Sequence, residues 1–157
     1  NIIEEVVKIF NTTNCDALYG DLVFVDSVQT NKIYRKWIAG SYSDQLFLKG
    51  WMPPHPTFFV RKEIYNQYGK FNTTLKSSAD YELMVRLLYL HKIKVGYLHG
   101  TLVHMRIGGQ STKSLSNRLK ANYEDYQAWR LNSLKPKWYT LLLKPIRKIK
   151  QFYFPKF

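Results

Sequence analysis

Ile2, Ile3, Val6, Val7 and Phe10 recur at helical spacing, so the pattern of apolar positions predicts an amphipathic helix over residues 2–10. Asn14 and Asp16 mark a turn. Ala17 to Val25 then runs as nearly unbroken apolar β-formers, the pattern of a strand buried on both faces. Residues 27–54 show no regular period and end in Gly50-Trp51-Met52-Pro53-Pro54, a loop with two helix breakers. His55 to Arg61 reads as a strand, and Lys62 to Tyr68 as a short helix that Gly69 closes.

Beyond a stretch of small polar residues, Asp80 to His91 carries the clearest helical period. Tyr81, Met84, Leu87, Leu88 and His91 share one face, and Glu82 and Arg86 stand at the i,i+4 spacing of a helical ion pair. Lys94 to Ile107 returns to strand, and Gly108-Gly109-Gln110-Ser111 reads as a flexible loop. Ser114 to Leu134 predicts a long helix with Leu115, Leu119, Tyr123, Tyr126 and Leu134 on an inward stripe, followed by a tail interrupted at Pro145 and Pro155. This alternation predicts an α/β protein holding the second half of a larger sheet, divided into residues 1–113 and a helical tail at 114–157.

Composition narrows the class. Aromatic residues make up 16% of the 157 and apolar residues 45%, which excludes a disordered chain and supplies a core. The lone Cys15 excludes an internal disulfide framework and a cysteine-rich zinc site. The chain opens without methionine, a basic leader or a long apolar stretch, so its N-terminus is expected to lie upstream; no apolar run is long enough to predict a transmembrane helix.

Charge changes the picture more. The formal net charge is +13, and residues 126–157 supply eight of those excess charges, since they hold Arg130, Lys135, Lys137, Lys144, Arg147, Lys148, Lys150 and Lys156 and no carboxylate. Aromatic and aliphatic residues interleave with these cations from Trp138 to Phe157. A basic amphipathic segment of this kind suits an anionic membrane surface, here through residues 135–157; a C-terminal helix packed on the domain with a solvated basic face is the simpler alternative.

Asp80 is the foremost candidate for chemistry. It opens its helix behind Ser77 and Ser78, where the helix dipole favours an ionised carboxylate, the form a general base needs; an acidic cap is the competing reading. His55, between prolines, is a candidate for substrate contact or for anchoring its loop. Trp51 offers an aromatic face for a sugar ring or a large core side chain, and Gly108 with Gly109 offers a loop able to close over substrate or a tight turn.

The stretch His55-Pro56-Thr57-Phe58-Phe59-Val60-Arg61, then Gly69 and Phe71, then Asp80 and Arg86-Leu87 resembles the acceptor-side signature of inverting family-2 glycosyltransferases of the GT-A fold. Tyr19-Gly20-Asp21 and Met105-Arg106-Ile107-Gly108-Gly109-Gln110-Ser111 resemble the bacterial branch, and the likeness covers most of residues 15–134. The resemblance implies a partial GT-A, Rossmann-like domain lacking its N-terminal nucleotide-binding half and followed by C-terminal helices. It implies Asp80 as the general base that activates a glycan or lipid-linked acceptor against a nucleotide-sugar donor, and His104 as a ligand to a divalent Mn or Mg. The Asp-x-Asp motif that mainly holds that metal in the family is absent from these residues, so the donor site is expected outside them and the fragment is expected to be inactive alone. The implied location is cytoplasmic, peripheral on the inner face of the cell membrane. A non-catalytic glycan- or lipid-binding remnant is the alternative. A nucleic-acid-binding module is a further one, although no helix-turn-helix, RNP-like element or zinc spacing is present and no nucleic-acid partner is expected.

Overall fold

The computed structural model describes residues 1–108 and 115–152. Its architecture is α/β, with a mixed four-stranded sheet and six α-helices. β1 (Ala17–Val25) is the spine, and its nearly unbroken burial matches its apolar sequence. β4 (Val95–Arg106) runs parallel to β1 along one edge. The opposite edge is shared: antiparallel β3 (Phe59–Val60) pairs with Ala17 and Leu18, and antiparallel β2 (Ile33–Trp37) pairs with Leu22 to Val25.

α1 (Ile2–Thr12) begins at Asn1, whose side-chain oxygen accepts the Ile3 N–H at 3.1 Å. Arg61, just past β3, ties the end of α1 to the sheet by donating to the Cys15 carbonyl at 2.7 Å and to the Phe10 carbonyl. This arginine, part of the glycosyltransferase-like pattern, is therefore bonded to backbone.

Three segments differ from the pattern-based expectation. His55 to Thr57 forms a turn of 3-10 helix and only Phe59 and Val60 are strand, because Pro56 and the Thr57 hydroxyl favour a turn over a ladder. Residues 27–54 contain β2 and the short α2 (Asp44–Leu48); both are too brief to impress a period on the sequence. The expected helix at Asp80 exists as α4 (Ala79–Met84) but continues as a π-helical segment (Val85–Leu90). α3 (Lys62–Tyr68) and its closure by Gly69, at φ 88°, follow the sequence closely.

α4 is buried all round, and Tyr81, Leu83, Met84, Val85, Leu87 and Leu88 form the centre of the core. His91 leaves that face, is exposed, and stacks on Tyr68 with ring centroids 4.2 Å apart. Glu82 and Arg86 do pair, at 2.9 Å, and far more deeply than a surface i,i+4 pair. Arg86 also donates to the carbonyls of Tyr68, Gly69 (3.0 Å) and Lys70 (2.7 Å), while Asn132 donates to Glu82 at 2.9 Å. The Gly69 and Arg86-Leu87 elements thus form one clamp that holds the α3–α4 loop.

α5 (Leu115–Leu131) packs on α4 through a different face from the one its sequence suggests. Leu119, Tyr123 and Tyr126 are exposed, whereas Asp125, Ala128, Trp129 and Asn132 are buried. The reason lies in the partner surface. The Trp129 indole donates to the Tyr81 hydroxyl at 3.0 Å, and Ser78 donates to Asp125 at 2.8 Å, so α4 selects the polar-and-tryptophan face. Leu134 packs at the core margin as expected, and the side chain of Leu115 lies outside the described residues. α6 (Thr140–Lys150) runs through Pro145 without interruption, with that proline exposed. Ala128 and Trp129 share one core cluster with Tyr19 and Phe47 of residues 1–113. No helix among the described residues is long and apolar enough to cross a membrane.

Candidate functional site

Asp80 lies in the first turn of α4, where its carboxylate meets His55: Oδ2 is 2.9 Å from Nδ1. The Asp80 side chain is 27% exposed and that of His55 47%, so the pair is partly open to solvent. Burial pushes the Asp80 carboxyl up, but the hydrogen bond and charge of His55, the Tyr81 backbone N–H and the charge of Lys144 together hold it below its ordinary value of 3.8. Asp80 is therefore ionised at neutral pH and ready to accept a proton.

The position of His55 follows from glycine at the centre of β1. The Thr57 hydroxyl donates to the Gly20 carbonyl at 2.8 Å and accepts the Gly20 N–H at 3.3 Å, which seats the 3-10 turn against the sheet. A Cβ on Gly20 would come within 2.6 Å of the Leu102 side chain and 2.8 Å of the Leu98 carbonyl, so a larger residue would push β4 off β1. Its neighbours in the Tyr19-Gly20-Asp21 triplet are structural too. Tyr19 donates to the Gly40 carbonyl at 2.7 Å. Buried Asp21 accepts the Ala39 N–H at 2.8 Å and the Tyr97 hydroxyl at 2.7 Å, and burial followed by Asp21 pushes that phenol up to about 12.

The position of Asp80 follows from α5 and α6. Glu124 accepts the backbone N–H groups of Ser77 (2.6 Å) and Ser78 (3.0 Å), which lead directly into α4. Lys144 of α6 reaches Asp125 at 2.6 Å and stands over the Tyr81 ring, 3.6 Å from its centroid. Glu124, Asp125 and Thr57 carry no local signal of this role in the sequence. Lys144 stands in the sequence as one more cation of the basic tail, but its side chain is 16% exposed and paired, so it belongs to the site's support.

The other candidates do not converge on Asp80 in this way. Trp51 is a core residue, 5% exposed, with its indole donating to the Ala39 carbonyl at 3.0 Å and its ring edge-on to Tyr19 and Phe47. Gly108 follows β4 at φ 108°, a conformation that favours glycine, with open space around it; Gly109 lies outside the described residues. His104 is exposed on β4 in register with Val23. Among the described residues no group of three or more His, Cys, Asp or Glu is arranged to hold a metal ion, so His104 lacks co-ligands there and those residues alone do not form a shell for Mn or Mg. An open depression lined by Thr74, Leu75, Gln127, Arg130 and Leu131 includes neither Asp80 nor His55. It has mixed lining and no ionised pair, so the partly open carboxylate–histidine pair is the better chemical site.

Comparison with protein-family models, with curated proteins and with solved structures finds no match to this chain.

Proposed function

We propose that the chain is the acceptor-activating part of an inverting glycosyltransferase, with Asp80 as general base. The observation that carries the reading is the His55–Asp80 contact at 2.9 Å. It joins two residues that the glycosyltransferase-like pattern singles out, and it leaves an ionised, partly exposed carboxylate.

In this reaction an acceptor sugar hydroxyl approaches the open side of Asp80. As its oxygen bonds to the anomeric carbon of the donor, the bond from that carbon to the nucleoside diphosphate breaks on the opposite face. The proton passes to Asp80, the bonding pair leaves with the diphosphate, and the anomeric configuration inverts. A weak base is adequate for this chemistry. An oxocarbenium-like centre makes the attacking hydroxyl acidic only as the new bond forms, so a carboxylate that is always ionised serves. His55 steers the carboxylate through its hydrogen bond, and Lys144 and the Tyr81 N–H help to keep it charged. In this proposal, donor binding and any metal belong to sequence carrying the Asp-x-Asp motif outside these residues.

The test is transfer by the complete enzyme from a panel of nucleotide sugars, with product configuration read by NMR. Asp80→Asn should lower turnover by roughly 100-fold or more while nucleotide-sugar binding persists. Near-normal turnover in that variant, or retention of configuration, would contradict the assignment.

A further inference from the structure

α6 is inside out relative to an ordinary surface helix. It is strongly amphipathic, yet the face turned toward the domain is the polar one. Thr140 is fully buried and donates to the Leu48 carbonyl at 2.7 Å, and Lys144 is engaged by Asp125 and Tyr81. The helix backbone is pressed against Gly50, where a Cβ would come within 2.5 Å of the Lys144 nitrogen and 2.8 Å of the Thr140 carbonyl. The opposite face holds Leu142, Ile146 and Ile149, 52–60% exposed, with Trp138 before the helix at 83%; Phe152, after the helix, has the Arg35 guanidinium of β2 5.4 Å from its ring centroid. Trp138, Leu142, Ile146 and Ile149 recur at intervals of three and four, so they form one continuous apolar stripe. Contiguous exposed apolar surface of this kind marks an interaction site.

Charge decides what the stripe meets. Lys135 and Lys137 are exposed immediately before it, Lys148 is exposed within it, and no carboxylate occurs from residue 126 onward. A protein partner would have to offer an apolar groove with an acidic rim, and a second copy of this chain would bring like charge against like. An anionic lipid surface supplies both an apolar layer and negative headgroups. We propose that α6 and Trp138 form an interfacial docking helix for an anionic membrane, lying in the headgroup region with Leu142, Ile146 and Ile149 inserted. Docking would leave the fold intact, because the face that holds α6 to the domain is not the face that enters the lipid. The assignment stands apart from the catalytic one. If both hold, the bond network from α6 through Lys144 to α4 keeps Asp80 in fixed relation to the lipid surface.

The test is co-sedimentation of the full chain with mixed phosphatidylcholine–phosphatidylglycerol vesicles and with phosphatidylcholine vesicles alone. Binding is expected only to the anionic vesicles and should fall steeply as salt rises. Replacing Lys135 and Lys137 by Gln should weaken it about fivefold per residue. Leu142→Glu with Ile146→Glu should abolish it while the thermal unfolding temperature is kept, since both positions are solvent-facing in the free chain. The inference is overturned by absence of binding, by equal binding to neutral vesicles, or by a variant that binds normally. It is overturned equally if sedimentation equilibrium shows a dimer that these substitutions dissociate, or if the chain prefers RNA to anionic vesicles and the apolar substitutions leave RNA binding unchanged.

Discussion

Asp80 and Glu82 sit in the same short helix, and their surroundings divide them. Asp80 keeps 27% of its side chain open and meets a histidine that is itself half exposed. Glu82 keeps 4%, receives Arg86 through two bonds of 2.9 and 3.0 Å, and takes a third from Asn132. One end of α4 is an ionised group with access to solvent. The middle is a saturated ion pair that clamps the Tyr68–Lys70 backbone. The difference shows how a helix buried on all sides can present chemistry: the rigid clamp fixes the helix, and the open carboxylate then has a defined place.

The strongest way to break this contrast is at Glu82. Glu82→Ala leaves the Arg86 guanidinium without its carboxylate in the core and should cost about 3–5 kcal/mol, measured by denaturant unfolding. Asp80→Asn should cost about 1 kcal/mol or less at neutral pH, because the amide keeps a hydrogen-bond acceptor near His55 and one side stays solvated. If the two substitutions destabilise equally, Asp80 is a structural residue.

Acid sharpens the same contrast. The folded carboxyl of Asp80 lies below its ordinary value of 3.8, so the unfolded state binds the proton more readily. The stability it contributes is then fully present above 3.8 and lost as pH falls through the folded value. Asp80→Asn should therefore lower stability at neutral pH by the amount the ionised carboxyl contributes, and the two curves should converge as pH falls through the folded value. Comparing the two curves between neutral pH and acid unfolding measures it.

Much of the scaffold was legible because it rests on local signals. β1 announces itself by nearly unbroken apolar β-formers, α3 by its period and terminal glycine, and the Glu82–Arg86 pair by spacing alone. The orientation of α5 was not legible. Leu119, Tyr123 and Tyr126 form a credible apolar stripe, but the surface to be covered carries the Tyr81 hydroxyl and Ser78, which bind Trp129 and Asp125 instead. Partner surfaces of that kind do not register in a periodicity.

The site divides in the same way. Asp80 and His55 each stood out, one by its helix position and one by its prolines, but nothing local says that they touch; that depends on Thr57 seating the turn against Gly20. Lys144 was hidden in plain view, since a lysine within a basic run looks like all the others until Asp125 is placed beside it. Trp51 misled for the opposite reason, because an aromatic ring in a proline-rich loop suits a sugar and a core equally well.

The central claim, that His55 holds Asp80 as an ionised base, is tested most directly by following the Asp80 carboxyl by carbon-13 NMR through an acid titration in the natural sequence and in His55→Ala. The account predicts a midpoint below 3.8 with His55 present and a higher midpoint without it, because burial then acts with less opposition. A midpoint at or above 3.8 in the natural sequence, or one that His55→Ala leaves unmoved, would contradict it.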